Sequence, residues 1–231
     1  MSEQQIPFAF RLDTESSFDN FYCDAERALV VDALRHQADG DGEKFIFLHA
    51  LSGRSHLLNA TAARAEALGR RACYLPMREV SAFPPEAVLD NLEALDVVCL
   101  DDLDHVAGDD QWERGLFNLY NRCLSTSAVL LASSSKSIQQ LTVQLPDLHS
   151  RLQSFAVFQV PPMSDEARHH AFKLRAQRRG IELSDVVADF IMARCQRDFP
   201  SLLIVLDRLD DVSLAEKRRL TIPFVKSVMG W

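Results

Sequence analysis

The chain has 231 residues, of which 47% are hydrophobic and 25% are charged, a composition typical of a globular protein with one large domain or two small ones. It has no apolar run long enough to span a bilayer and no N-terminal signal peptide, so neither a membrane protein nor a secreted protein is expected. The net charge of −8 argues against a surface that binds nucleic acid on its own.

The charge is unevenly distributed along the chain. Residues 164–231 contain twelve Lys and Arg against ten Asp and Glu, a balance of +2, which leaves −10 for residues 1–163. An acidic surface of this kind avoids DNA and suits a protein partner. The five cysteines are scattered and mostly lie in apolar surroundings, so we expect buried thiols in a reducing cytoplasm rather than disulfides or a metal site.

The first 17 residues lack periodicity and are predicted to form a flexible arm. Within this arm, residues 5–10 (Gln-Ile-Pro-Phe-Ala-Phe) are more apolar than a solvated tail requires. The segment either packs on its own domain or acts as a short motif whose glutamine and apolar side chains dock in a partner's groove. An exposed aromatic arm could also mediate dimerisation, so these interpretations stay open.

Residues 45–58 have the layout of a phosphate-binding loop. The apolar run from Phe45 predicts a buried strand, a short turn contains Gly53, and Ser55 opens an apolar-periodic helix. Backbone N–H groups and a helix N-terminus attract anions in such a turn. The full pattern G-x-x-x-x-G-K-[ST] is nevertheless absent, because Leu48 replaces the first glycine and Arg54 replaces the lysine.

The elements that surround this loop alternate between helix and strand. Helices are predicted at about 25–37, 55–68, 112–123 and 145–152, with a short helix starting at 84–86, and further strands at 72–75, 95–100, 128–132 and 155–160. This alternation predicts an α/β fold with a five-stranded parallel sheet and helices on both faces.

Two aspartates follow the strand at 95–100. Asp101 and Asp102 come at the carboxyl end of a continuous apolar strand, where open α/β sheets place their ligands. They are either helix-capping or solvated acids, or acids that face Mg²⁺ beside the upstream loop, and the combination with that loop favours the second interpretation. No other residues are assigned to a metal.

Pro161-Pro162 marks a domain boundary, since everything after it has helical periodicity. Helices are predicted at about 164–180, 184–196, 201–213 and 221–228. The predicted organisation is therefore an arm over 1–17, an α/β domain over 18–161 and a small all-helical lid domain over 162–231.

Several motifs resemble the AAA+ module of the replication initiator DnaA, and more of them resemble the Hda family of DnaA-homologous regulators. The first set is Phe-Asp-Asn-Phe at 18–21, Gly-Arg-Ser-His-Leu-Leu at 53–58 and Asp101-Asp102. The second set lies at 54–58, 117–122, 145–152 and 220–226, so the resemblance covers nearly the whole chain. It implies an AAA+ module followed by a helical lid.

The resemblance to the Hda family implies partners and roles for the residues. Its members inactivate DnaA by stimulating hydrolysis of DnaA-bound ATP, which makes them negative regulators of chromosomal replication initiation. Arg151 matches the family's arginine finger, which is supplied in trans; without the resemblance, a surface arginine or an ion pair would be the simpler interpretation. The family has no helix-turn-helix domain, which implies no sequence-specific DNA binding.

The family also binds the sliding clamp, the beta subunit of DNA polymerase III, through a motif of the form Q-L-[SP]-L-P-L. In this sequence Gln5 would form hydrogen bonds in the clamp's pocket, and Pro7 follows the first of the apolar anchors Ile6, Phe8 and Phe10. Ala9 departs from the common form, which lowers the expected strength of the contact.

Two departures concern the nucleotide site, whose residues by resemblance are Gly53, Arg54, Ser55, Asp101 and Asp102. The loop between Phe47 and Gly53 is shorter than the family's and has fewer glycines, and Pro200 stands where the lid's sensor arginine is expected. The resemblance makes ADP a possible ligand, but these departures predict that ADP binding is weak or absent, and no intrinsic catalysis is expected. The alternatives are a self-sufficient AAA+ ATPase and a scaffold without finger function; the oligomeric state stays open.

Overall fold

The computed structural model of the protein describes residues 16–195, 198–216 and 219–231. The backbone divides into two compact units, of which the first ends at Pro162 and the second begins at Met163. Within the described ranges, no helix combines the length and the apolar character that crossing a membrane requires.

The first unit contains the predicted five-stranded sheet. Its strands are β1 (Phe45–His49), β2 (Ala72–Pro76), β3 (Val97–Asp101), β4 (Val129–Ser134) and β5 (Ala156–Gln159). All pairs are parallel and the strand order is β2-β3-β4-β1-β5. The prediction of a parallel sheet is confirmed, and the carboxyl ends of β1, β3 and β4 lie side by side at one edge.

Six helices cover the two faces of the sheet. They are α1 (Ala28–Asp39), α2 (Arg54–Ala67), α3 (Met77–Val80), α4 (Pro85–Leu89), α5 (Asp110–Leu124) and α6 (Pro146–Leu152). Side chains of a strand alternate between its faces, so Ile46 and Leu48 join the core beneath α1 and α2, whereas Phe47 joins the core beneath α5 and α6. Helices on both faces confirm the predicted α/β class.

Helix α1 begins three residues later than the apolar periodicity predicts. The carboxylate of Asp24 accepts a hydrogen bond of 3.2 Å from the backbone N–H of Arg27, which closes a separate turn before the helix. Arg27 is only 1% exposed; its guanidinium donates to Asp24 and, at 2.9 Å, to the carbonyl of Pro161. A buried arginine thus links the start of α1 to the end of the first unit.

The second unit is all-helical, as predicted for a lid. It consists of α7 (Asp165–Arg178), α8 (Asp185–Met192), α9 (Phe199–Glu216) and α10 (Ile222–Met229), which bury a core of their own. Helix α9 begins earlier than predicted because the carboxylate of Asp198 accepts from the backbone N–H of Ser201 at 2.8 Å. Pro200 lies in the first turn of α9, where backbone N–H groups have no partner within the helix, so a proline is tolerated.

The five cysteines are free thiols, as expected, but they are not uniformly buried. Cys99 and Cys123 are buried, whereas Cys23 is exposed. Burial raises the pKa of Cys73 to about 12 and that of Cys123 to about 11. These two thiols stay protonated at neutral pH and are therefore poor nucleophiles.

Candidate functional site

The turn between β1 and α2 has the predicted strand–turn–helix layout but is very short. Strand β1 continues to His49, so Leu48, at the position of the missing first glycine, is a fully buried strand residue. Only residues 50–53 connect the strand to α2. Gly53 has a φ of 87°, a conformation that favours glycine, and it is the only glycine of the turn.

The N-terminal segment packs over this turn. A β-carbon at Gly53 would lie 3.4 Å from the ring of Phe21, which is itself buried, and 4.0 Å from Val160. The ring of Phe21 also contacts His56 of α2, with 5.4 Å between ring centroids. Nε2 of His56 lies 2.7 Å from the carbonyl oxygen of Ser17. The Phe-Asp-Asn-Phe motif at 18–21 thus covers the start of α2.

Arg54, the residue in place of the phosphate-loop lysine, is held by protein groups. Its guanidinium donates to the carbonyl of Ala50 and to the carboxylate of Asp102. The side chains of Arg54 and Asp102 are only 11% and 13% exposed. The more exposed Arg78 lies 3.7 Å from the second carboxylate oxygen of Asp102. The positive charge of Arg54, which would face a phosphate, is therefore paired with a carboxylate of the site itself.

Asp101 is also fully engaged. Its carboxylate accepts hydrogen bonds from the hydroxyl of Tyr74, at 2.6 Å, and from the hydroxyl of Ser133. Burial raises the pKa of Tyr74, the charge and hydrogen bond of Asp101 raise it further, and a hydrogen bond from Ser55 pulls it in the opposite direction. Tyr74 therefore remains a neutral donor. A continuous polar network joins the start of α2 to β2, β3 and β4.

The backbone at Asp102 is held in an unusual conformation. Its φ of 60° lies in the left-handed region, which non-glycine residues rarely adopt, although aspartate and asparagine tolerate it best. The N–H of Asp102 donates to Ser133 at 3.0 Å. Two residues on, Asp104 accepts bonds from the hydroxyls of Ser134 and Ser135. The serines that end β4 thus tie down the acidic turn after β3.

In this arrangement the site does not offer Mg²⁺ a free carboxylate. Both oxygens of Asp101 accept protein hydrogen bonds, and Asp102 is paired with Arg54. Over the ranges that the structure describes, no group of three or more His, Cys, Asp or Glu side chains is suited to a metal ion. The groups that a Mg²⁺–nucleotide complex would contact are thus bonded to protein groups in this structure.

Arg151 contrasts with Arg54 in having an available charge. It lies in the last turn of α6, and its side chain is exposed while Leu148 and Leu152 of the same helix are buried. Its guanidinium carbon lies 5.5 Å from the ring centroid of Tyr120. In the part of the chain that the structure describes, no carboxylate forms an ion pair with Arg151. It is therefore a cation that a partner could contact.

Helix α6 is fixed in place by a buried carboxylate that sequence analysis missed. Glu113 of α5 is 1% exposed and accepts backbone hydrogen bonds from Gly108, Gln144 and Leu145, at 2.7 to 3.0 Å. Leu145 occupies the N-cap position of α6, directly before its first residue. Glu113 lies in the first turn of α5, and no pattern in the sequence distinguishes this glutamate from a solvent-exposed one.

We expect Glu113→Gln to lower the free energy of unfolding by about 2 kcal/mol, since an amide replaces a charged acceptor of three backbone N–H groups. Urea unfolding measures the change. Asp110→Asn is the matched control, because the carboxylate of Asp110 is exposed and pairs with Arg114 on the same helix. Equal stability of the Glu113 and Asp110 variants would contradict the proposed role of Glu113.

The remaining predicted site residues are separate from these. Pro200 is exposed in the second unit and brings no charge. The clamp-motif residues Gln5, Ile6, Pro7, Phe8 and Phe10 lie outside the described residues, which begin at Ser16. The sheet edge thus brings together Arg54, Ser55, Asp101 and Asp102, whereas Arg151 lies on a different helix.

Comparison with known proteins gives sequence and structural relatives. The family described as "Hda, lid domain" matches residues 165–229, the helical second unit. An uncharacterized protein of Haemophilus influenzae is 38% identical over 230 residues, which cover 98% of this chain and 99% of that protein.

Solved structures of the initiator DnaA share the fold. Domain III of DnaA from Thermotoga maritima superposes with a TM-score of 0.79 at 17% identity, covering 95% of this chain and 98% of that one. AMPPCP-bound DnaA from Aquifex aeolicus gives 0.71 at 17% identity, covering 89% of this chain and 67% of that one. The lid match places the second unit among Hda lid domains, and together with the DnaA-like parallel sheet followed by a helical unit it identifies the chain as an Hda-like, DnaA-related AAA+ protein.

Proposed function

We propose that this protein is a negative regulator of replication initiation that promotes hydrolysis of DnaA-bound ATP by supplying Arg151 in trans. The observation that carries the proposal is the contrast between two arginines: Arg54 is buried against Asp102, whereas Arg151 is exposed and has its charge available. A guanidinium placed at a transferring γ-phosphoryl group stabilises its developing charge. Membership of the Hda-like proteins supports DnaA as the partner.

The charged groups of the chain's own nucleotide site are bonded to one another and to other protein groups, which favours a regulatory role over self-sufficient ATP hydrolysis. Catalysis in that site would need Mg²⁺ and a cation on the phosphates, but Arg54, Asp101 and Asp102 are paired with protein groups. Pro200 adds no charge from the lid. We propose that the site binds ADP weakly or not at all and does not turn over ATP.

We further propose that residues 5–10 tether the protein to the sliding clamp. The glutamine and the apolar anchors of this segment match the form that a clamp pocket recognises, apart from Ala9. The tether would concentrate Arg151 near clamp-loaded DNA, where an intramolecular encounter replaces a diffusive one. The acidic balance of residues 1–163 agrees with binding to proteins rather than DNA.

The tether is tested by Gln5→Ala in a reconstituted assay of DnaA-ATP hydrolysis with clamp-loaded DNA. We expect the concentration of protein needed for half-maximal stimulation to rise at least about tenfold, because effective concentration is lost. Gln4→Ala is the matched control, since the neighbouring glutamine falls outside the motif. A Gln5→Ala protein as effective as the Gln4→Ala protein would refute the tether. Clamp binding without any stimulation by the unaltered protein would instead identify a scaffold.

A further inference from the structure

Tyr120 of α5 is buried and held by two aromatic rings and one hydroxyl. It is 6% exposed, and its ring stacks on Phe45 and Phe155 with centroid separations of 4.5 and 6.0 Å. Its hydroxyl lies 3.3 Å from the hydroxyl of Ser154. The ring therefore presents one defined face to its surroundings.

Tyr120 lies close to both the side chain and the backbone of Arg151. The guanidinium carbon lies 5.5 Å from the ring centroid, within the range of a cation–π contact. The hydroxyl of Ser154 donates to the backbone carbonyl of Arg151 at 2.6 Å, while lying within hydrogen-bond distance of the Tyr120 hydroxyl. Tyr120 thus touches the charged head directly and reaches the backbone through one serine.

An aromatic face holds a cation in a way that an ion pair cannot. A carboxylate would fix Arg151 but would neutralise it and occupy its N–H donors, as Asp102 does to Arg54. A ring face attracts the guanidinium through its quadrupole and leaves all five N–H donors available in their planar arrangement. A group that must bind a γ-phosphoryl oxygen of another molecule requires that second kind of support.

From this geometry we infer that Tyr120 is the positioning residue for Arg151 in the reaction on the partner's nucleotide, an inference that rests on the proposed function. Tyr120 does not touch the reacting atoms. It restricts the rotamers of a long exposed side chain before the partner arrives, which reduces the entropy lost when the guanidinium meets the phosphate. Tyr120 would therefore act on the rate of hydrolysis once the complex has formed, not on formation of the complex.

The test compares Tyr120→Leu with Tyr120→Phe in stimulated DnaA-ATP hydrolysis. Tyr120→Leu is expected to lower the maximal stimulated rate about three- to fivefold at an unchanged half-maximal concentration, because the ring face is lost. Tyr120→Phe keeps the face and should retain nearly the full rate. Phe155→Leu is the matched control: it removes a ring from the same aromatic cluster and leaves in place the Tyr120 ring, over which the Arg151 guanidinium lies.

Each outcome decides one of the two proposals. A folded Tyr120→Leu protein with the unaltered maximal rate, or an equal loss in Phe155→Leu, would overturn the positioning role while Arg151→Ala still abolishes stimulation. If Arg151→Ala has no effect, the proposed function itself fails. If Tyr120→Leu does not fold, Tyr120→Met, which conserves more of the ring's volume without its face, gives the same comparison.

Discussion

Replacing Arg151 with alanine is expected to reduce the rate of DnaA-ATP hydrolysis to that of DnaA alone. An arginine supplied in trans contributes about 10³ to 10⁵ in rate in other nucleotide hydrolases, so no remaining group is expected to compensate. Single-turnover hydrolysis of DnaA-bound ATP, measured with saturating protein and clamp-loaded DNA, reports this step directly. Arg151→Lys should recover only part of the rate, because a lysine keeps the charge and loses the planar donor arrangement.

The control for Arg151→Ala is Arg114→Ala, which removes another exposed arginine from the same unit, one that is already paired with Asp110. Both variants should bind the clamp equally, since the clamp motif lies at residues 5–10. Both variants should stay folded, because Arg151 and Arg114 are exposed and their cation–π contact and ion pair are each worth at most about 1 kcal/mol. Full stimulation by the Arg151→Ala protein would rule out the finger and favour the scaffold alternative.

The fold could be predicted from the sequence because its signals are local. Five apolar runs of strand length alternate with helical periodicity, and this alternation requires a parallel sheet. The boundaries that were missed depend on single side chains: Asp24 delays α1 by closing a turn, and Asp198 starts α9 early by accepting from Ser201. A periodicity argument does not register such contacts, because an aspartate before a helix can cap it or close a separate turn.

The contacts among the residues at the sheet edge could not be predicted from the sequence. Chain order places Arg54 and Asp102 at the same sheet edge, yet their contact joins residues 48 positions apart and depends on a short loop that folds the guanidinium back. Tyr74 was assigned only to its strand, and its bond to Asp101 was not predicted. An aromatic side chain with a polar tip at the carboxyl end of a strand was the available signal for Tyr74.

These contacts change what Asp101 and Asp102 can bind. In a working phosphate loop the lysine and the acid stay apart, each bound to part of a Mg²⁺–nucleotide. Here the cation and the acid are each other's ligand, and both are largely withdrawn from solvent. A nucleotide would have to break this pair before its phosphates could reach Arg54. The cation and the acid that would bind separate parts of the nucleotide complex here form one internal ion pair.

Asp102 and a bound phosphate would compete for Arg54. Removing the charge of Asp102 should therefore raise the affinity for ADP, whereas in a working site it would lower it. Asp102→Asn should increase the affinity for ADP about tenfold, equivalent to roughly 1.4 kcal/mol, because the weakened pair releases Arg54 toward phosphate. Asparagine also tolerates the φ of 60° at this position. Calorimetric titration with ADP, with and without Mg²⁺, measures both proteins, and the gain should not require Mg²⁺. The unaltered protein should show no low-micromolar binding.

Asp104→Asn separates release of Arg54 from a general loss of negative charge. Asp104 belongs to the same sheet edge but is bonded to Ser134 and Ser135, at the end of β4, rather than to Arg54. Its substitution should leave ADP affinity nearly unchanged. If Asp102→Asn instead weakens ADP binding, and does so only when Mg²⁺ is present, then Asp102 serves a metal, and the Arg54–Asp102 pair does not block the nucleotide. The direction of one affinity change therefore distinguishes an internally occupied site from a working one.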